Sequence, residues 1–161
     1  MASAARRAAL RTLVRVFDEG AYADRAFATE AAELDARDRA FAQRLAYGAI
    51  QRVRTLDHVV EEVGGRPVAG LDVPVRAALR LGAYELGFMD AVPARATVNE
   101  AVELAREAGA GRATGLVNAV LRKVADRIGP DDDAGAVFTR GAELAPGLIE
   151  EALEGAFREQ E

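Results

Sequence analysis

The chain has 161 residues, long enough for one domain with a buried core, and its 50% hydrophobic and 29% charged residues are typical of globular proteins. It has no cysteine, which excludes disulfides, and no apolar run near the roughly 20 residues of a membrane span. No signal-peptide pattern is present, so a cytoplasmic location is expected. The formal net charge of −5 is uneven, because residues 131–161 hold nine acidic groups and two arginines.

Apolar residues at helical spacing predict an all-α protein, and no segment has the two-residue period of a strand. Six of the predicted helices cover residues 2–19, 22–34, 36–53, 74–89, 98–108 and 113–128, and a short helix between them begins at Thr55 or Asp57 and ends at Gly64-Gly65. Gly129-Pro130 is expected to end the compact domain, which gives a domain over residues 1–129. Residues 130–161 are then an acidic linker with a further helix over residues 146–158.

The first predicted helix carries a row of arginines. Arg7, Arg11 and Arg15 recur every four residues on one face, with Arg6 beside them, and all four precede the first acid, Asp18. Such a row is suited to binding the phosphates of a nucleic acid, since guanidinium groups make paired hydrogen bonds to phosphate oxygens. The alternative is a solvated charged face with no ligand.

Residues 74–89 are expected to form the central helix, with a peripheral amphipathic helix as the alternative. One arc of this helix is apolar or small, and Gly82 on it lets a neighbouring helix come close. Arg76, Arg80 and Tyr84 follow at positions i, i+4 and i+8 and are predicted to form a polar ridge on the other side.

A second group of cations lies near the last predicted helix. Arg112 stands at the turn before that helix, and Arg122 and Lys123 lie along it. The glycine run at residues 109–115 follows a helix and not a strand, so it indicates a helix-helix turn and no dinucleotide site. The free N–H groups of a helix start nevertheless favour phosphate, which makes these three cations candidates for RNA binding.

Residues suited to catalysis are nearly absent. Ser3 is the only serine and lies in a terminus expected to fray, and His58 is the only histidine. We therefore predict no catalytic residue, no metal site and no cofactor, with an unfamiliar enzyme site as an open alternative. Tyr22, Tyr47 and Tyr84 can stack on bases or serve as core residues, and Tyr22 is expected to face the core with Phe27.

Four ordered blocks resemble the NusB family, and they span most of residues 5–128. They read DRAFAQRLAYGAIQRVRTLD at 38–57, LRLGAYEL at 79–86, VPARATVNEAVELA at 92–105 and GLVNAVLRKV at 115–124. The pattern of Tyr47, Gly48 and Arg52 is most similar to the NusB-like N-terminal domain of RsmB/Sun-type rRNA cytosine-C5 methyltransferases.

This resemblance implies an all-α, NusB-like bundle of about seven helices in two small subdomains. It implies RNA binding, to rRNA or its leader, through an arginine-rich N-terminal segment that Arg6, Arg7, Arg11 and Arg15 match. It also implies a small-subunit ribosomal protein as a partner, in transcription antitermination. In the methyltransferase branch the domain precedes a catalytic domain that uses S-adenosylmethionine and a cysteine, and this sequence contains neither that motif nor a cysteine.

The resulting prediction is a non-enzymatic RNA-binding domain, active in antitermination or in rRNA recognition for a methyltransferase domain. The alternative is a protein-protein interaction module that docks a ribosomal protein or a methyltransferase domain. In that case the ridge of Arg76, Arg80 and Tyr84 is the expected partner-binding surface.

Overall fold

The computed structural model describes residues 1–89 and 92–128, and within these ranges it contains seven α-helices and no strand. The helices are α1 (Ala4–Glu19), α2 (Ala23–Glu30), α3 (Ala36–Gln51), α4 (Val53–Gly64), α5 (Val73–Phe88), α6 (Ala94–Glu107) and α7 (Thr114–Ile128), with 3₁₀ turns at Val68–Gly70 and Gly111–Ala113. The predicted all-α class is confirmed. None of these helices is long and apolar enough to cross a bilayer. The acidic segment at 130–161 and its predicted helix lie outside the described residues.

Local sequence signals set the helix ends. The Ser3 hydroxyl oxygen accepts a hydrogen bond from the N–H of Arg6 and caps α1, and Gly20 ends this helix at a φ of +69°. Asp35 caps α3 by accepting from the N–H of Asp38, as predicted. Ser3, in a terminus that the sequence suggested would fray, thus has a defined place as the N-cap of α1.

Some helix bounds differ from those predicted. Helix α2 is shorter, and α3 gives way to α4 with only Arg52 between them. Helix α6 begins at Ala94, earlier than predicted, directly after Pro93. Proline is tolerated before a helix because the first N–H groups have no intrahelical acceptor, so Pro93 starts α6.

Helix α5 is the centre of the bundle, as predicted, and packs against α1, α3, α4, α6 and α7. It is buried on nearly every side, so the peripheral alternative is excluded. Its buried residues are Val75, Ala77, Ala78, Leu79, Leu81, Gly82, Ala83, Tyr84, Glu85 and Gly87. The prediction of a polar ridge that includes Tyr84 is wrong at this residue, because Tyr84 is only 7% exposed.

Two glycines allow helices to pack closely on α5. A Cβ added at Gly82 would lie 2.5 Å from Leu121 Cδ1 and 3.3 Å from Ala101 Cβ, which places α6 and α7 against α5. On the other side, the ring of Tyr84 occupies the space where a Cβ of Gly48 in α3 would be. Tyr84 is therefore buried because α3 has a glycine opposite it.

Gly48→Ala is expected to destabilise the fold by about 1–3 kcal/mol, because the methyl group must displace the ring of Tyr84 from a packed site. This cost opposes the gain of about 1 kcal/mol in helix propensity that alanine brings. Chemical denaturation measures the change. Gly115→Ala in α7 is the matched control, since no atom lies within 4 Å of its added Cβ. Equal stability of Gly48→Ala and the wild type would contradict the packing described.

Candidate functional site

Arg6 belongs to the core and not to a surface row of arginines. It is 9% exposed, and its Nε donates to Glu85 Oε2 at 3.1 Å while a second guanidinium nitrogen donates to Glu85 Oε1. Glu100 lies 3.9 Å from the same guanidinium, and the Phe41 ring centroid lies 4.9 Å from its Cζ. The expectation that Arg6 faces solvent with the other arginines is wrong, because α1 turns this side chain onto α5.

The Arg6–Glu85 pair is a strong internal constraint. Burial by itself lowers the pKa of the Arg6 guanidinium, but the hydrogen bond and charge of Glu85, with the charge of Glu100, raise the pKa on balance. Glu85 is 4% exposed, so loss of Arg6 would leave a carboxylate buried without its partner. Sequence reasoning missed Glu85, although a carboxylate on a helix buried all round requires a cationic partner.

The other three arginines of α1 remain at the surface. Nη1 of Arg7 lies 3.6 Å from Oε2 of Glu107, and Nη1 of Arg15 lies 3.6 Å from Oε1 of Glu30. All four side chains are partly exposed. Exposed pairs at such distances contribute about 0–1 kcal/mol. Arg11 is exposed and has no ion pair within residues 1–89 and 92–128. Arg11 is therefore open to a ligand, and Arg7 and Arg15 are held only weakly.

These three arginines line a groove of about 540 Å³ between α1, the start of α5 and the end of α6. Its apolar lining is Leu10, Val14, Val73, Pro74, Leu104 and Ala108. Its charged lining is Arg7, Arg11, Arg15, Glu19, Glu30 and Glu107. The groove thus combines an apolar surface with charges of both signs, and among the residues described Arg11 is its only arginine without a carboxylate partner.

A second group of cations lies at the start and middle of α7. Arg112 is exposed in the 3₁₀ turn before the helix, and Arg122 and Lys123 are exposed on the helix itself. None of the three forms an ion pair or side-chain hydrogen bond within the described part of the chain. Their positive charges therefore face solvent, as the sequence predicted for Arg112, Arg122 and Lys123.

The side chains of the predicted partner-binding ridge instead contact other helices of the same chain. Arg76 pairs with Asp18 at the end of α1. Arg80 donates two hydrogen bonds to Asp57 of α4, at 2.8 and 2.9 Å. With Tyr84 buried as well, these side chains join α5 to its neighbours, so the expected continuous polar surface is absent at these three positions.

Tyr22 lies at the surface, contrary to the prediction, whereas Tyr47 packs within the bundle. Tyr22, expected to face the core, is 43% exposed, and its ring centroid lies 5.4 Å from Cζ of Arg25. Tyr22 precedes the first turn of α2, outside the helical pattern that suggested burial. Tyr47 packs edge-on against Phe27 with ring centroids 5.4 Å apart. Of the three tyrosines, Tyr22 has the most accessible ring.

His58 lies in an exposed cluster of charges and not in a cavity. Its Nε2 is 3.6 Å from Glu62, which also accepts a 2.7 Å hydrogen bond from Arg127. This hydrogen bond holds the pKa of the Glu62 carboxyl below its usual value. Among the residues described, no group of three or more His, Asp or Glu side chains could hold a metal ion.

Comparison with known proteins agrees with this helical bundle. The model of the NusB family matches residues 3–126. Ribosomal RNA small subunit methyltransferase B of Thermus thermophilus is 47% identical over 95 residues, which are 59% of this chain and 23% of that protein. Transcription antitermination protein NusB of a Marinomonas species is 36% identical over 96 residues, 60% of this chain and 55% of that protein.

A crystal structure of antitermination factors NusB and NusE in complex with dsRNA has the same fold. The TM-score is 0.70 at 24% identity, over 76% of this chain and 94% of the matched chain. The molecule is thus an all-helical domain of the kind found both in antitermination factors and in rRNA methyltransferases. The chain belongs to the NusB family. It spans about a quarter of the length of the Thermus methyltransferase and about half of the Marinomonas NusB.

Arg6→Ala is expected to lower the free energy of unfolding by about 3–5 kcal/mol, because it leaves the buried Glu85 carboxylate without its cationic partner. Arg11→Ala, on the same helix with an exposed side chain, should change it by no more than about 0.5 kcal/mol. Guanidinium chloride denaturation of both variants provides the comparison. Similar stabilities for the two variants would contradict the assignment of Arg6 to the core.

Proposed function

We propose that this chain is an RNA-binding NusB-like domain that performs no catalysis itself. The observation that carries the proposal is that α1, α7 and the turn before α7 carry exposed cations without carboxylate partners within the described residues. These cations are Arg11, Arg112, Arg122 and Lys123. Cations of this kind bind phosphates by releasing condensed counterions, with no dependence on base sequence.

The charge balance of the domain supports this proposal. The described residues hold 19 arginines and lysines against 16 acidic groups, although the whole chain is acidic. Arg7 and Arg15 flank Arg11 on α1, and their weak pairs with Glu107 and Glu30 can exchange for phosphates. We therefore assign the main phosphate contact on α1 to Arg11, with Arg7 and Arg15 beside it and Arg6 excluded by burial.

The relatives support two cellular roles. The matched crystal structure contains NusB and NusE with dsRNA, and one group of relatives is named for transcription antitermination. The other group is named for methylation of small-subunit ribosomal RNA. We propose that the domain acts on rRNA or its leader, either in antitermination with a ribosomal protein or by positioning rRNA for a methyltransferase domain.

The test is the salt dependence of binding to a labelled single-stranded RNA, measured by fluorescence anisotropy. The logarithm of the affinity should fall linearly with the logarithm of salt concentration, with a slope of about 0.7 per phosphate contact. Arg11→Ala should reduce the slope by about 0.7, and Arg122→Ala with Lys123→Ala should reduce it by about 1.4.

Arg54→Ala is the matched control for this experiment. Arg54 is an exposed arginine of α4 without an ion pair within the described ranges, and its loss changes the net charge by the same amount as loss of Arg11. The control should leave the slope near the wild-type value. A slope unchanged by Arg11→Ala, or equally reduced by Arg54→Ala, would contradict the proposed surface.

A protein-docking role is a second candidate, favoured by the apolar lining of the groove. NusE is the protein seen with NusB in the matched crystal structure, so purified NusE is a suitable probe. Binding of NusE that survives nuclease treatment would support protein docking, and a loss of that binding in Arg11→Ala would support docking in this groove, which Arg11 lines. Absence of NusE binding, with or without RNA, would remove this candidate.

A further inference from the structure

The carboxylate of Glu107 occupies the start of α1. Its Oε1 accepts a hydrogen bond from the Ala2 N–H at 2.8 Å, and its Oε2 lies 3.6 Å from Nη1 of Arg7. About two turns earlier on α6, Glu100 accepts a hydrogen bond from the Ser3 N–H at 3.0 Å. At the N-terminal end of α1, two backbone N–H groups and the guanidinium group of Arg7 therefore all face carboxylates of α6.

This arrangement is the one that proteins use to bind a phosphate. Backbone N–H groups at a helix start and a nearby guanidinium group both donate to the same anion. At α1 the anion is Glu107, a group of the protein itself. A phosphate that approached Arg7 would have to displace this carboxylate.

Displacement is feasible because Glu107 is held weakly. The side chains of Arg7 and Glu107 are 31% and 27% exposed, so solvent screens their attraction. Glu107 is also the last residue of α6, where the negative end of the helix dipole disfavours a carboxylate. The Arg6–Glu85 pair differs because both side chains are buried, which leaves a ligand little access to compete for either group.

We propose that Glu107 is an intramolecular competitor for RNA phosphate at Arg7 and limits the affinity of the domain for RNA. This inference rests on the RNA-binding function proposed above and adds a residue that opposes it. Arg11 binds phosphate without competition, whereas Arg7 binds phosphate only after Glu107 has been displaced. An acidic side chain at position 107 thus weakens the contribution of a neighbouring arginine on the RNA-binding helix.

Glu107→Gln tests the inference. The amide keeps an oxygen that can accept from the Ala2 N–H but removes the negative charge beside Arg7. The affinity for labelled single-stranded RNA at low salt should rise about two- to five-fold, the size expected for an exposed ion pair. Unchanged circular dichroism and thermal unfolding would show that the variant keeps the native fold.

Two comparisons separate a local effect from a general one. Glu33→Gln removes the same charge from an exposed residue without an ion pair among the residues described, and it should raise the affinity by less than Glu107→Gln does. In an Arg7→Ala background, Glu107→Gln should raise the affinity by no more than Glu33→Gln does, because the cation that it releases is absent.

Three results would overturn the inference: no gain in affinity in Glu107→Gln, an equal gain in Glu33→Gln, or a gain of undiminished size without Arg7. Each of them leaves the proposed function intact if the wild type binds RNA with the expected salt dependence. If the wild type and all variants fail to bind RNA at any salt concentration, both the proposed function and this inference are wrong.

Discussion

The orientation of α1 depends on the buried ion pair between Arg6 and Glu85. This pair joins the first turn of α1 to the central helix, and Phe41 of α3 packs over the guanidinium group. Because residues on a helix have fixed angular positions, fixing Arg6 inward also fixes the directions of the arginines that follow. Leu10 and Leu13 then face the core, and Arg7, Arg11 and Arg15 line the groove. The same contact that stabilises the bundle therefore determines which cations reach the surface.

Two groups of basic residues in this domain consequently differ in their surroundings. Arg6, Arg76 and Arg80 bind carboxylates on other helices and hold α1, α4 and α5 together. The other group lies at the surface on α1 and on and before α7, where its charges are free or weakly paired: Arg7, Arg11, Arg15, Arg112, Arg122 and Lys123. Arginine suits both environments, because its planar, permanently charged group can pair with a carboxylate in the core or remain charged at the surface.

Much of the fold could be predicted from local signals in the sequence. The central position of α5, the cap at Asp35 and the close approach at Gly82 depend on residue type and helical spacing, and the structure confirms them. The division of the arginines could not be predicted in this way. Arg6 and Glu85 are 79 positions apart, so no local pattern reveals that they meet. The i, i+4 spacing places Arg7, Arg11 and Arg15 on one face without showing which carboxylates that face will meet.

Tyr84 and Tyr22 show the same limit. Tyr84 is buried because Gly48 of another helix leaves room for its ring, and Tyr22 is exposed because α2 begins one residue after it. In both cases the outcome depends on a helix boundary or a distant glycine, and not on the periodicity that suggested the prediction.

The central claim is that the Arg6 side chain is buried and paired with Glu85, whereas the exposed Arg11 side chain is the one proposed to bind RNA. NMR of the arginine Nε–Hε groups, recorded with and without RNA, tests this claim directly, because each side chain gives its own signal. The account predicts a slowly exchanging Arg6 signal that stays in place when RNA is added, and an Arg11 signal that shifts with RNA concentration. A shifting Arg6 signal beside an unchanged Arg11 signal would contradict it.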